Sequence, residues 1–318
     1  MTKRVALIFG VGGQDGSYLA KLLLSKNYSV FGTSRHNLEF LPNLEKLGIQ
    51  KDVKCLSLNT KDGAEVLSAI NKTQPDEVYY LAGESSVAAS FLEPEKAIES
   101  IAFGLLNVLE ACRKSSKPIR IFSAGSSECF GDTKGVAANE LTPFAPLSPY
   151  AIGKTTAFWL INQYRQSYGL FACTGTLFNH ESLLRPDHFV TQKIIQAVKE
   201  IAAGSRNELK LGRLDVARDW GWASEYVEAM WLMLQQNVPQ DFVIATGKTM
   251  SLEDFVAAAF AQANLDWHKY VISDPAFMRP ADILVGRADS SKIQTTLGWK
   301  PSVSGVKVVE NMFNSIHF

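Results

Sequence analysis

Phe9-Gly10-Val11-Gly12-Gly13-Gln14-Asp15-Gly16-Ser17 is the stretch on which the fold turns. Gly10, Gly13 and Gly16 repeat at every third position. The apolar run Val5–Phe9 precedes them and a helical pattern, Ser17–Lys26, follows. Glycines let a backbone turn sharply and approach an anion closely, and the following helix aims free N–H groups and its positive dipole end at the same place. A glycine triplet alone is weak, but one that leaves a strand and opens a helix is the context expected of a dinucleotide-pyrophosphate loop. Gly10, Gly13, Gln14, Asp15 and Gly16 are therefore candidate cofactor contacts.

Working outward, short apolar runs alternate with longer amphipathic ones. The runs are Val5–Phe9, Tyr28–Gly32, Val53–Leu58, Glu77–Leu81, Ile119–Ser123 and Phe171–Leu177. Each suits a strand buried on both faces. Helical patterns lie at Ala64–Thr73, Ala97–Lys114 and Tyr150–Tyr168. This alternation predicts an α/β fold, a Rossmann-like doubly wound parallel sheet. Beyond Leu177 the rhythm loosens into helices at Val190–Gly204, Ser224–Gln236 and Ser251–Asn264, with one further run, Asp241–Ala245, placed to rejoin the main sheet. The expected division is a dinucleotide-binding domain over 1–178, with 214–247 returning to it, and an interleaved, smaller mixed α/β substrate region over 179–318.

The second run leads into Thr33-Ser34-Arg35-His36. An acidic residue here usually holds the ribose hydroxyls of NAD. Arg35 instead suits a 2′-phosphate, which points to NADP.

Composition narrows the function. The chain has 318 residues, 46% hydrophobic, with 32 basic and 32 acidic side chains. A formal charge of zero argues against nucleic acid as the main partner, since phosphate backbones are held by a basic excess. Cys55, Cys112, Cys129 and Cys173 form no C-x-x-C pair and have no nearby His at metal-ligand spacing, so they are expected to be reduced thiols with no metal. No signal peptide pattern and no apolar stretch of roughly 18 residues is present. The expectation is a cytoplasmic protein that does not enter membranes.

Tyr150 and Lys154 stand four apart at a helix start after Ser148-Pro149, on one helical face. A lysine ammonium near a phenol favours phenolate, so the pair could exchange a proton with a sugar hydroxyl during hydride transfer. Alone the spacing is near chance in a chain with nine tyrosines. Support comes from Ser126-Ser127-Glu128 after the fifth run, since strand carboxyl ends face the ligand crevice. Ser126 can orient a hydroxyl toward Tyr150, and Glu128 can serve as a second base; turn chemistry and capping are the blander alternatives.

These residues together resemble the GDP-mannose 4,6-dehydratase family of extended short-chain dehydrogenases/reductases. The resemblance rests on Gly10 to Leu19, Ser126 to Glu128, Ser148 to Ala151 with Lys154, and Leu177-Phe178-Asn179-His180-Glu181-Ser182. It extends through Phe189-Val190-Thr191 with Lys193, Arg218-Asp219-Trp220, Asp241 to Gly247 and Leu297 to Pro301. It implies a redox-neutral cycle. C4 of the sugar is oxidised by NADP+ while Tyr150 takes the hydroxyl proton, Glu128 removes the C5 proton, water leaves from C6, and hydride returns to C6. Ser126 takes the place of the family's catalytic Thr. By the same resemblance Leu81, Lys154, His180 and Arg185 contact the cofactor, and Ser85, Asn179, Val190, Lys193, Gly212, Arg218 and Arg279 line a nucleotide-sugar site. Two Arg and a Lys suit a diphosphate, which guanidinium binds bidentately.

The chain departs from the family pattern at several places. Ser57-Leu58-Asn59-Thr60 replaces the usual G-D-L-T, so Asn59 stands near where an acidic group is usual. His36 replaces an Arg, Lys96 a Tyr and Arg213 an Asn, and the loop after Arg35 is shortened. The resemblance implies a homo-oligomer, dimer or tetramer, and leaves GDP-mannose and a GDP-heptose both open. Other readings are a nucleotide-sugar 4-epimerase, reductase or decarboxylase and, outside catalysis, an NADP-binding regulator. Retention of both Tyr150 and Lys154 argues against the last.

Overall fold

Val5–Phe9 is shielded on both faces, and the chain builds outward from it as an interior strand. The structure is a computed structural model that describes residues 3–35, 41–278 and 281–314. The first part of the chain runs β1 (Val5–Phe9), α1 (Gln14–Ser25), β2 (Ser29–Ser34), α2 (Pro42–Lys46), β3 (Lys54–Ser57), α3 (Gly63–Thr73) and β4 (Glu77–Tyr80). Then come α4 (Val87–Leu92), α5 (Pro94–Ile98), α6 (Gly104–Arg113), β5 (Arg120–Ser126), α7 (Pro149–Tyr168) and β6 (Phe171–Leu177). A π-helical segment, Glu99–Phe103, joins α5 to α6. The remainder is β7 (Asn179–Glu181), α8 (Val190–Ala202), β8 (Leu209–Leu211), β9 (Ala217–Trp222), α9 (Ala223–Leu234) and β10 (Phe242–Ile244). It closes with β11 (Thr249–Ser251), α10 (Leu252–Ala261), β12 (Val271–Ser273), α11 (Ser291–Leu297) and α12 (Val306–Asn314).

Among the described residues a seven-stranded parallel sheet has the order β10-β6-β5-β4-β1-β2-β3. From β1 the chain winds one way to β2 and β3, then crosses to β4, β5 and β6. The crevice of such a sheet lies where that order reverses, beyond the carboxyl ends of β1 and β4. The register brings Phe9 beside Thr33 on one side and Tyr80 on the other, so all three strands end at one level. One face of the sheet packs Leu19, Leu23, Val227 and Met230 of α1 and α9, and the other Val66, Leu105, Leu109 and Ile161 of α3, α6 and α7. This is the doubly wound sheet expected from the alternation.

The run Asp241–Ala245 does rejoin it, with β10 parallel to β6. An ion pair holds that return: Arg165 on α7 grips Asp241 through both carboxylate oxygens at 3.0 and 2.6 Å. Oδ1 of Asp241 also accepts the Thr174 N–H at 2.7 Å.

The smaller region carries a three-stranded mixed sheet, β11-β9-β7, and a two-stranded one, β12-β8. Ile194, Val198, Phe255, Phe260, Val308 and Met312 of α8, α10 and α12 form its core. The sequence reading did not include β7, β9 or β11. Asn179–Glu181, Ala217–Trp222 and Thr249–Ser251 are polar or broken by charge and carry no apolar run to mark them. Among the described residues no helix is long and apolar enough to cross a membrane.

Candidate active site

At Gly10 the chain turns with φ +87°, and a Cβ there would lie 3.0 Å from the Ala82 nitrogen. The loop thus lies against the end of β4, tied also by Leu81 N–H donating to the Phe9 carbonyl. A Cβ on Gly16 would fall 2.3 Å from the Gly10 oxygen, so the first turn of α1 packs against the loop with no room for a side chain. Gly13 begins α1 and no side chain caps it. The first-turn N–H groups of a helix have no intrahelical partner, so an uncapped start at the crevice is a ready anion site. These residues fit the pyrophosphate of a dinucleotide. Arg35 is exposed just past β2 and near enough to Tyr80 to lower its phenol's proton affinity, against the larger upward push of burial. His36, beside it, lies outside the described residues.

The proton-transfer candidates meet at the carboxyl end of β5. Ser126 ends that strand, and its hydroxyl accepts the Glu128 N–H at 3.2 Å to start a short 3₁₀ turn, Ser127–Phe130. Ser148 caps α7 by accepting the Ala151 N–H at 3.1 Å, and Pro149 sets its first turn. That cap places Tyr150 and Lys154 one turn apart over β5. Lys154 is buried and donates to the Ala124 carbonyl at 2.8 Å, with its Nζ 5.8 Å from the Tyr150 ring centre.

Burial pushes Lys154 down to about 8, with Cys129 and Asp15 pulling weakly the other way. The phenol of Tyr150 is pushed up by burial, opposed by a hydrogen bond from Ser126, with Cys129 and Glu128 adding to the rise. The expected lowering by Lys154 does not figure among these causes: its Nζ stands 5.8 Å from the Tyr150 ring centre and donates to the Ala124 carbonyl. The Glu128 contribution also shows that this carboxylate lies within electrostatic reach of Tyr150.

A second group lies across the crevice. Ser127, Glu128, Phe130 and Phe178 line one cleft with Arg218, Gly286 and Arg287. Arg218, on β9, is buried and its Nη2 donates to Asp282 at 3.0 Å. Next to it Asp219 is fully buried and accepts the N–H groups of Thr246 and Gly247 and the Thr246 hydroxyl, which fixes the turn after β10 to β9. Lys193 on α8 donates to the Lys210 carbonyl at 2.8 Å and sits 3.8 Å over the Phe277 ring. A Cβ on Gly212 would lie 2.6 Å from the Phe277 carbonyl, so Gly212 and Lys193 meet at the same segment. Asn179 is half-buried at the start of β7, Val190 half-buried at the start of α8, and Ser85 exposed after β4. Arg279 lies outside the described residues.

Several expected cofactor contacts are joined to one another. His180 Nε2 lies 3.0 Å from both oxygens of Asp15, and Nδ1 lies 2.7 Å from the Phe178 carbonyl. Gln14 donates to Asp15 and to the His180 carbonyl, and accepts from Ser182 at 2.8 Å. Arg185 lies over Phe189 and pairs with Glu181 at 3.1 Å. The role of Asp282 as partner to Arg218 was not foreseen; no local pattern marks a lone carboxylate as the mate of an arginine 64 positions away. Arg287 in the cleft was missed for the same reason.

A family model described as GDP-mannose 4,6 dehydratase matches residues 7–312. The chain is 42% identical over 323 residues to GDP-mannose 4,6 dehydratase 2 of Arabidopsis thaliana, covering 98% of this chain and 86% of that one. It is 38% identical to the GDP-mannose 4,6-dehydratase of Vibrio cholerae, over 99% of this chain and 94% of that one. Among solved structures, the Thermus thermophilus UDP-glucose 4-epimerase with NAD superposes at TM-score 0.85 with 23% identity, over 98% of this chain and 100% of that one. A dTDP-glucose 4,6-dehydratase of Streptomyces venezuelae, solved with NAD, superposes at 0.86 with 19% identity, over 97% and 95%. At such identities these two likenesses speak for the fold.

Proposed function

The chain belongs to the GDP-mannose 4,6-dehydratase family, and from that premise we propose that it removes water from GDP-mannose at the crevice between β4, β5 and the smaller region. The observation that carries the assignment of residues is the convergence of Ser126, Glu128, Tyr150 and Lys154 on the end of β5. A nicotinamide dinucleotide, held at the uncapped start of α1, supplies the hydride acceptor for C4 and the donor for C6. Arg35 in place of an acid favours NADP, because its guanidinium pairs with a 2′-phosphate where a carboxylate would repel it.

The chain's own groups handle protons and position. Ser126 and Tyr150 hold the C4 hydroxyl, and Tyr150, once it has given up its own proton and stands as phenolate, receives the hydroxyl proton as that carbon becomes a ketone. The ketone acidifies the C5–H. Glu128 takes that proton and passes it to the departing C6 hydroxyl, which leaves as water and leaves a C5–C6 double bond. Proton return to C5 and hydride addition at C6 give the 4-keto-6-deoxy sugar. A base separate from Tyr150 is required, since Tyr150 is already occupied with the C4 oxygen. Arg218 and Lys193 suit the nucleotide diphosphate by charge and position, and Arg279, outside the described residues, by charge alone.

Purified protein with GDP-mannose and NADP+ is expected to yield a product lighter by one water, without net NADPH, and carrying solvent deuterium at C5 when run in heavy water. Unchanged substrate mass or accumulating NADPH would sink this reading. Glu128→Gln should abolish water loss, and intact turnover in that variant would remove Glu128 from its role. We also propose a homo-oligomer: Phe103, Ile152 and Trp159 are exposed on the adjoining π-helical segment and α7, and offer an apolar face to a second copy. Light scattering checks it; a monomer at working concentration would contradict it. Four unpaired thiols suit a cytoplasmic location.

A further inference from the structure

Asp15 poses an electrostatic problem. It occupies the first turn of α1, where a carboxylate competes with an anionic ligand for the same dipole and N–H groups. Three cationic side chains from other elements answer it: His180 of β7 and Arg185 after it lower the proton affinity of Asp15, and Lys154 of α7 feels its charge. His180 is the one in contact. Its side chain is about nine-tenths buried, and both ring nitrogens face acceptors. Nε2 is 3.0 Å from each Asp15 oxygen, and Nδ1 is 2.7 Å from the carbonyl of Phe178. A carbonyl only accepts, so Nδ1 carries a proton; an ionised carboxylate only accepts, so Nε2 carries one too.

Of the remaining neighbours, the aromatic one favours a cation and Arg185 opposes one. The Tyr226 ring from α9 stacks on the imidazole at 4.5 Å and 25°, presenting its negative face. Arg185 pairs with Glu181 at 3.1 Å, and its charge still opposes the proton on His180, less strongly than Asp15 favours it. Burial alone would drive a proton off His180, but Asp15 reverses that and raises its proton affinity.

We propose that His180 is a protonated positioning residue whose imidazolium ties the Asp15 carboxylate, and with it the glycine loop, to β7, and offsets the negative charge that Asp15 would otherwise present to a dinucleotide pyrophosphate. Both of its nitrogens are spent inside the protein, so His180 donates no ring hydrogen bond to the cofactor. The latch also ties the dinucleotide loop to the sheet that carries Arg218, because β7 pairs directly with β9. The charge-offset clause rests on the dinucleotide reading above; the imidazolium does not.

Two measurements separate these. In full-length protein labelled with ¹⁵N-histidine and free of dinucleotide, both ring nitrogens of His180 should still resonate as protonated at pH 6.5, where an ordinary imidazole is half deprotonated. The signal is assigned by its loss in His180→Gln. In Asp15→Asn the His180 signal should titrate at lower pH than in the parent. A neutral tautomer at pH 6.5 in the parent, or an unmoved titration in Asp15→Asn, overturns the imidazolium. By calorimetry His180→Gln should weaken NADP+ by about tenfold, and adding Asp15→Asn should recover most of that loss. Wild-type affinity in His180→Gln overturns the charge offset. Failure of NADP+ to bind the parent protein would overturn the dinucleotide reading instead, while the nitrogen signals still decide the imidazolium.

Discussion

Replacing Lys154 by Met should make the folded protein more stable at neutral pH. Lys154 is buried, and burial lowers its pKa to about 8 from an ordinary 10.5. Its folded-state value lies below its unfolded one, so holding the ammonium inside costs folding free energy. The cost is complete below about pH 8 and fades as pH rises from there toward 10.5. At roughly 1.4 kcal/mol per tenfold change in proton affinity, it comes to about 3 kcal/mol at pH 7. Met has similar length and no charge to desolvate. Against the gain stands the hydrogen bond from Lys154 to the Ala124 carbonyl at 2.8 Å, whose loss costs about 1 kcal/mol. The net expectation is a gain of about 2 kcal/mol at pH 7, or about 4 °C in melting temperature. The assay is thermal melting of parent and Lys154→Met without dinucleotide, between pH 6.5 and 9.5. The difference should be largest at the acidic end and shrink above pH 8, while the variant loses dehydration. A variant that melts below the parent at pH 7, or a difference that grows with pH, would refute the argument that Lys154 is retained for chemistry against its cost to stability.

Other outcomes follow from single contacts. Arg35→Ala should weaken NADP+ by about tenfold or more and leave NAD+ nearly unchanged, as the loss of a charge-assisted phosphate contact requires; equal weakening of both in titrations would contradict the 2′-phosphate reading. Asp241→Ala breaks the two-oxygen pair with Arg165 and strips the Thr174 N–H of its acceptor. It should cost about 3 kcal/mol by urea denaturation, and a change below about 0.5 kcal/mol would show that β10 is held by packing alone.

The parts of the site that were legible in the sequence are those set by neighbours along the chain. The Gly10 turn and the tight seat of Gly16 follow from residues six apart, and the pairing of Tyr150 with Lys154 follows from one helical turn capped by Ser148. The position of Ser126 and Glu128 at a strand end was equally local. Asp241–Ala245 could be placed in the main sheet because its apolar run is long enough to show. The strands β7 and β11 could not, since neither carries an apolar run, and it is the pairing of β7 with β9 that sets Asn179, His180 and Arg218 in one sheet.

The sequence by itself determined the strand-glycine-helix unit, the parallel alternation built on it, and which residue types were available for proton transfer, because short-range backbone geometry and hydrophobic period decide such things. Only the tertiary structure decided how those groups are charged and whom they touch. It joined Asp15 to His180 across 165 positions and Arg218 to Asp282 across 64. It also buried the Tyr150 phenol, which pushes its proton affinity up. The physical reason is common to all three: desolvation and ion pairing depend on the summed field of everything packed around a group, and no local pattern carries that sum.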